Sequence, residues 1–155
     1  MSGFHLAQIN VGRAVAPLDD PQLAEFMNRL DEINALADDA PGFVWRLQSD
    51  SGNATDILIS DDPRFIINMS VWQDVESLFE FVYRTNHTDV MAKRRSWFEK
   101  PDGPYMVLWW VPAGHQPTPQ EGMRRLALLK KDGPTSRAFT FKERFPAPEA
   151  ADAAD

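Results

Sequence analysis

The period of the apolar residues changes within one continuous stretch, RFIINMSVWQDVESLFEFVY at 64–83. Up to Trp72 the residues alternate between two faces, which is typical of a β-strand. After Asp74, a suitable N-cap, apolar residues recur at helical spacing, and we expect one side of this helix to carry Val75, Leu78, Phe79, Val82 and Tyr83. A strand that leads directly into a helix predicts a domain that mixes α and β structure.

The same reasoning predicts the other elements of the chain. Strands are expected at 4–12, 43–48, 64–72 and 105–112, and helices at 21–39, from 74, in a piece after TNH, and at 118–131. A brief strand at 57–59 and a last strand in AFTFKERF (138–145) are compatible with the pattern. We interpret 1–146 as a single domain and 147–155 as a disordered acidic tail. The order is that of an α+β, ferredoxin-like split βαβ subunit with a C-terminal helical extension.

The stretch YMVLWWVP at 105–112 is apolar on both of its faces. This indicates a strand that is covered on both sides of the sheet, either within the chain or by a partner chain. In a split βαβ subunit the crossover helices cover one face of the sheet. We therefore expect a second copy of the chain to cover the other face, which predicts a homodimer.

Composition and charge exclude several classes of function. The chain has 155 residues, a formal net charge of −7 and a pI near 4.9, which argues against a nucleic-acid partner and an anionic membrane surface. It has no cysteine, and its histidines show no metal-ligand spacing, so we expect no metal site. His115 is expected to hydrogen-bond locally. The N-terminus lacks the pattern of a signal peptide, so the expected location is cytoplasmic.

Polar residues interrupt the third predicted strand. Asn68, Ser70 and Trp72 share one face of it, since side chains two residues apart point the same way. One interpretation is that they merely face solvent or a partner, as polar strand residues commonly do. The other is that they line a pocket between the sheet and the helices, which a small aromatic ligand would enter. Other polar side chains would then converge there: Asn10, Arg46, Tyr83 and His87.

The segment NMSVWQDVESLFEFVY followed by a histidine resembles the strand–Trp–helix–His signature of the dimeric α/β-barrel superfamily, which contains the antibiotic-biosynthesis monooxygenases. The whole chain is similar to a bacterial family of unknown function within that superfamily. The phrases that carry this likeness are HLAQIN, PGFVWRLQ, VWQDVESLFEFVY, VLWWVPAGHQPT and GPTSRAFTF. The resemblance implies a dimeric α/β-barrel.

One branch of the superfamily contains cofactor-free, quinone-forming monooxygenases. In them an Asn and a Trp four residues apart on one strand hold a phenolic substrate and stabilise its anion, and Asn68 and Trp72 match this spacing. The resemblance therefore implies catalytic roles for Asn68 and Trp72. From the expected convergence on one pocket we also predict a catalytic role for His87, with Asn10, Arg46 and Tyr83 as substrate-binding residues. His87 or Tyr83 would manage a proton, and no cofactor would be needed.

Two alternatives remain open. In the haem-degrading branch an Asn, a Trp and an axial His surround a haem, and Asn10, Trp72 and His87 match them in order. Arg94 or Arg95 would then meet a propionate, although VYRTN makes the separation of Trp72 and His87 longer than in that branch. The last alternative is a non-catalytic, ligand-binding barrel in which the aromatic residues only fill the core and the interface.

Overall fold

The computed structural model describes residues 3–17, 20–47, 64–86, 97–100 and 103–147. Within these ranges the chain forms four strands, three α-helices and a short 3-10 helix, Pro21–Leu23, that leads into the first α-helix. In chain order the elements are β1 (Phe4–Arg13), α1 (Ala24–Asp38), β2 (Phe43–Arg46), β3 (Phe65–Trp72), α2 (Val75–Asn86), β4 (Met106–Pro112) and α3 (Pro119–Asp132). The predicted strand at 57–59 and the predicted helical piece after TNH lie outside the described residues, as do positions 148–155 of the predicted tail.

The strands form one antiparallel sheet with the order β2-β3-β1-β4. The first strand therefore lies in the middle, next to the third and the fourth. This arrangement, with the chain order β1-α1-β2-β3-α2-β4, is the ferredoxin-like split βαβ topology. The predicted fold class, including the C-terminal helical addition α3, is confirmed.

Local sequence signals determine where the helices begin and end. The side chains of Asp20, Asp74 and Thr118 each accept a hydrogen bond from a backbone N–H in the first turn of the helix that follows, at 2.9, 2.7 and 3.1 Å. Each bond satisfies a donor that would otherwise lack a partner within the helix. Gly133 ends α3 with φ +75°, a conformation that glycine adopts without steric cost.

One face of the sheet, the α3 face, packs against α3. Its core is entirely apolar, with Ile9 and Trp109 fully buried and Leu126 of α3 only 1% exposed. Gly122 permits the close approach, since a Cβ at this position would lie 2.8 Å from Cδ1 of Ile9. The expectation that a second copy covers this face is therefore wrong, because α3 of the same chain covers it. Homodimerisation itself stays a prediction.

The opposite face, the α1/α2 face, packs against both crossover helices. At one end of it, Leu6, Trp72 and Leu108 form a cluster with Leu78 of α2 and with Phe139. At the other end lies a second cluster, made by Ala14, Leu23, Ile66, Trp97 and Phe98. The two apolar clusters are separated by the polar residues described below.

Two parts of the sequence interpretation are wrong. Residues 138–145 do not add a full strand, because Phe139 forms only an isolated bridge with Leu108 before the segment crosses the α1/α2 face. On α2, Phe79 and Tyr83 are 42% and 56% exposed, although the apolar spacing suggested that they point inward. Phe81 instead stacks on Trp72, with ring centroids 5.1 Å apart.

Candidate functional site

Two rungs of polar residues cross the middle of the α1/α2 face. Asn10 of β1 lies opposite Asn68 of β3, and Gln8 lies opposite Ser70. Antiparallel pairing brings such opposed side chains within reach of each other. The predicted convergence of Asn10 with the polar face of β3 is therefore present in the structure.

These side chains form one hydrogen-bonded cluster, which we call the polar network: Gln8, Asn10, Asn68, Ser70 and the indole N–H of Trp72. Gln8 is its centre. The Nε2 of Gln8 donates to Oδ1 of Asn68 and to Oγ of Ser70, both at 2.9 Å, and its Oε1 accepts from Nδ2 of Asn10 at 3.0 Å. Gln8 is only 2% exposed, so these bonds replace the hydration that its amide loses.

The orientation of the Asn68 amide follows from its partners. Its Oδ1 accepts from Gln8 and, at 3.2 Å, from Nδ2 of Asn10. Its Nδ2 makes no hydrogen bond within the described part of the chain. Asn68 is also exposed, in contrast to its buried neighbours Gln8 and Ser70. The network therefore holds the amide oxygen inward and leaves two N–H donors directed away from it.

Trp72 forms the buried end of the network. It is 1% exposed, and its Nε1 donates to Oγ of Ser70 at 2.8 Å. Phe81 stacks on its ring, and Phe43 meets the ring at an interplanar angle of 81° with centroids 5.4 Å apart. The indole is thus fully packed. It is linked to Asn68 by a chain of hydrogen bonds that runs through Ser70 and Gln8.

The surroundings of the two polar rungs are largely apolar. Along β1 and β3, the flanking rungs are Leu6 opposite Trp72 and Gly12 opposite Ile66. On β4, Leu108 lies beside Gln8 and Met106 lies beside Asn10. A few polar groups within an apolar lining are typical of a small-molecule site.

The other predicted site residues do not join the network. Arg46 lies opposite Ser70, but its Nε donates to Oδ1 of Asp38 at 2.8 Å and its Nη2 to Oδ2 at 3.3 Å. Tyr83 lies on the exposed side of α2, where it stacks on Phe79 with centroids 6.5 Å apart. His87 lies outside the described residues, and so do Arg94 and Arg95. The axial role of His87 in the haem alternative therefore stays a prediction.

Gln8 is the functional candidate that sequence reasoning missed. Strand parity places it on the same face as Asn10, and that signal was available. Its role depends on the register of β1 against β3, which the sequence does not give. Only the pairing of Gln8 with Ser70 shows that the Gln8 amide links these two strands.

The described residues contain neither a cluster suited to a metal ion nor a membrane-spanning helix. No three histidine, aspartate or glutamate side chains in these ranges come together as they would to hold a metal ion. No helix within the described ranges is long and apolar enough to cross a membrane.

The chain was compared with known families, proteins and structures. A family model described as a domain of unknown function (DUF3291) matches residues 5–155. The chain belongs to this family. The expectation of a family of unknown function is thereby confirmed. A search of curated proteins finds no match.

Two solved structures are among those similar to this chain. SnoaB, a cofactor-independent oxygenase from Streptomyces nogalater, is 16% identical, with a TM-score of 0.45, over 74% of this chain and 97% of its own. A protein of unknown function from Nitrosomonas europaea is 15% identical, with a TM-score of 0.42, over 76% of this chain and 96% of its own. Likeness at this level carries no information about activity.

Proposed function

We propose that this protein is a small-molecule enzyme, a cofactor-free monooxygenase-like oxidoreductase that acts on a hydroxylated aromatic compound at the polar network. The observation that carries the proposal is the Asn68 amide. Its oxygen is held by Gln8 and Asn10, and its two N–H donors are free within the described residues. Donors that are fixed before the substrate arrives stabilise a negative charge without reorganising.

The proposed reaction needs no external reductant. A phenolate is electron-rich at the ring carbon opposite its oxygen, and that carbon can transfer electrons to O2 and form a C–O bond. With a naphthol, one oxygen atom becomes the second carbonyl of the naphthoquinone, and the other leaves as water with the two hydrogens that the substrate loses. Atoms and electrons balance with naphthol and O2 alone, so neither flavin nor metal is required.

The roles of the residues follow from their positions. Asn68 donates to the phenolate oxygen, which favours the anion over the phenol. Gln8 orients Asn68 by donating to its amide oxygen, and Gln8 also donates to the hydroxyl oxygen of Ser70. Trp72 fixes Ser70 by donating to the same hydroxyl oxygen. The substrate-binding role of Arg46, and the proton-handling role of Tyr83 or His87, remain part of the proposal.

Oxygen consumption with naphthol as the substrate tests the proposal. We expect the purified protein, stripped of metal by chelation, to consume O2 and form naphthoquinone in equal amounts, measured with an oxygen electrode and by absorbance. Asn68→Ala should lower kcat/KM by about 100-fold, the effect of removing one donor to a developing anion. The variant should still fold, at a cost in stability of about 1 kcal/mol, because Asn68 is itself exposed but its Oδ1 accepts a hydrogen bond from the buried amide of Gln8.

Gln73→Ala provides a matched control, since Gln73 is an exposed amide just beyond the end of β3. Its activity should equal that of the parent protein. If the Asn68→Ala variant oxidises naphthol as fast as the Gln73→Ala variant, Asn68 does not act on the substrate. If neither variant nor parent binds or oxidises phenols in a panel that includes polycyclic ones, the non-catalytic alternative is preferred.

We also infer that the protein is a cytoplasmic homodimer. Exposed apolar side chains on α1, β2 and α2 support an interface: Leu36, Val44, Phe79 and Tyr83. Sedimentation equilibrium at micromolar concentration should give twice the chain mass of 17.6 kDa. A single species of one chain mass would contradict the dimer.

A further inference from the structure

A cavity lies apart from the polar network, between the end of β4 and α3. Its volume is about 560 Å³, which lies within the range of small-ligand sites. Trp110 and Pro112 line it on the strand side, and Arg124, Leu128 and Lys131 line it on the helix side. The cavity therefore combines apolar surface with cationic groups, and neither the family match nor the proposed oxidation gives it a role.

More cationic than anionic side chains line this cavity: Arg124, Arg125 and Lys131 against the single lining carboxylate of Glu121. Its carboxylate, Glu121, is occupied at both oxygens, with His115 Nε2 at 2.8 Å from Oε1 and Trp109 Nε1 donating to Oε2 at 3.0 Å. Arg124 and Lys131 have no carboxylate partner among the described residues. A protein with a formal net charge of −7 thus presents a cationic surface at this groove.

Arg125 strengthens the positive field. Its Nη1 donates to the backbone oxygen of Arg137 at 3.1 Å. Burial lowers the pKa of Arg125; Glu121 raises it, and the nearby Arg137 and Arg124 lower it further. Repulsion among these guanidinium groups is relieved when an anion binds between them.

The open edge of β4 adds a backbone donor to the groove. Leu108 exchanges both of its backbone hydrogen bonds with Phe139, at 2.8 and 2.9 Å, so its N–H and C=O point away from β1. Two residues further along the strand, those of Trp110 point the same way. Within the described ranges no backbone group forms a hydrogen bond with the N–H or the C=O of Trp110.

We propose that this groove binds a small organic anion whose carboxylate or phosphate lies between Arg124 and Lys131 and whose apolar body lies on Ala127 and Leu128. Guanidinium and ammonium groups recognise both kinds of head group by charge-assisted hydrogen bonds. The adjacent apolar side chains favour an aromatic or aliphatic body over a free inorganic ion. The site is independent of the oxidation proposed for the polar network.

Calorimetric titration of the full chain tests this assignment with three probes of one shape: naphthalene carboxylate, naphthyl phosphate and the neutral naphthalene carboxamide. We expect saturable binding of one or both anions, with the carboxamide at least about tenfold weaker. The tighter anion identifies the preferred head group. Equal affinity for the carboxamide, or no saturable binding of either anion up to millimolar concentration, would overturn the proposal.

Variants separate this groove from other sites. Arg124→Gln should weaken binding of the anion about tenfold or more, whereas Lys130→Gln, on the same helix but outside the lining, should change it less than about twofold. Asn68→Ala should leave it unchanged, which distinguishes the groove from the polar network. Equal losses in Arg124→Gln and Lys130→Gln would mean that only the overall charge matters, and the site would be rejected. Binding of a short acidic peptide in place of the naphthalene probes would likewise reject it, in favour of strand addition at β4.

Discussion

The two faces of the same sheet are built in different ways. The α3 face is apolar in its middle, where the residues that β1 directs toward it, Ala7, Ile9 and Val11, are buried against α3. On the α1/α2 face, two polar rungs of β1 and β3 separate the apolar clusters at the two ends. The middle of this face holds Gln8 and Ser70, which are 2% and 6% exposed and are the buried polar residues of the described chain.

This difference shows that a polar interior was not required by the fold. The α3 face demonstrates that these strands can be covered by a simple apolar surface, which is the more stable solution for a core. The other face contains a fully connected set of amides at its centre, and every buried member depends on the others for its hydrogen bonds. We attribute this arrangement to a ligand rather than to stability, and the following predictions test that view.

The largest expected effect concerns the junction of the network with the core. Trp72→Ala should lower the free energy of unfolding by about 3–5 kcal/mol, because it empties a buried aromatic site and removes a donor to Ser70. Denaturant unfolding gives the value. Trp110→Ala, at a half-buried position of the same face, should cost clearly less. If both substitutions lower the free energy of unfolding equally, Trp72 contributes no more to the stability of this face than Trp110 does.

On the α3 face one glycine is sensitive to the smallest enlargement of its side chain. Gly122→Ala would normally favour a helix, but here its Cβ would lie 2.8 Å from Cδ1 and 3.2 Å from Cβ and Cγ2 of Ile9. We expect a loss of about 2–3 kcal/mol, in the upper part of the range for overpacked cores. Thermal unfolding of Gly122→Ala, Ile9→Ala and the double variant provides the check. The double variant should lose less than the sum of the two single losses, and strict additivity would argue against the close contact.

A smaller effect is expected within the network itself. Ser70→Ala removes the acceptor of the Trp72 N–H and of Gln8 Nε2, which leaves buried donors unsatisfied at a cost of about 1–2 kcal/mol. Naphthol oxidation should also decline, because Gln8 then no longer fixes Asn68 as firmly. Ser77→Ala on α2 is the control for loss of a hydroxyl group. Unchanged activity in Ser70→Ala would separate the network from the reaction.

The smallest effect concerns Arg46, which lies beside the network but pairs with Asp38. The side chains are 12% and 45% exposed, so the pair should contribute no more than about 1 kcal/mol. We expect Arg46→Lys and Asp38→Asn to lower stability by similar small amounts in denaturant unfolding. If Arg46→Lys lowers naphthol oxidation much more than Asp38→Asn does, Arg46 contacts the substrate, as the sequence predicted.

Strand parity explains why part of the site could be predicted. Side chains of a strand alternate whatever surrounds it, so the shared face of Asn68, Ser70 and Trp72 follows from the sequence alone. The topology was equally accessible, since the order of the periodic segments defines the split βαβ fold. Helix caps such as Asp74 act within a few residues and were predicted for the same reason.

The errors concern contacts between distant segments. On α2 apolar residues occupy more than one side, and only packing against Trp72 decides that Phe81 turns inward and Tyr83 outward. Arg46 is paired by Asp38 at the end of α1, which spacing does not reveal. Likewise, the sequence predicts α3 but not the sheet face on which it packs.

The central position of β1 has a consequence for how the chain folds. β1 precedes every other strand, yet both of its neighbours come from much later segments, since Leu6 lies between Trp72 and Trp110. During synthesis, therefore, the strand cannot complete its hydrogen bonding until β4 has left the ribosome. Pairings of such long sequence separation slow folding, and β1 with its apolar side chains is exposed to aggregation while it waits. A nascent chain that stops before Met106 should thus depend on chaperones in a way that the complete sheet does not.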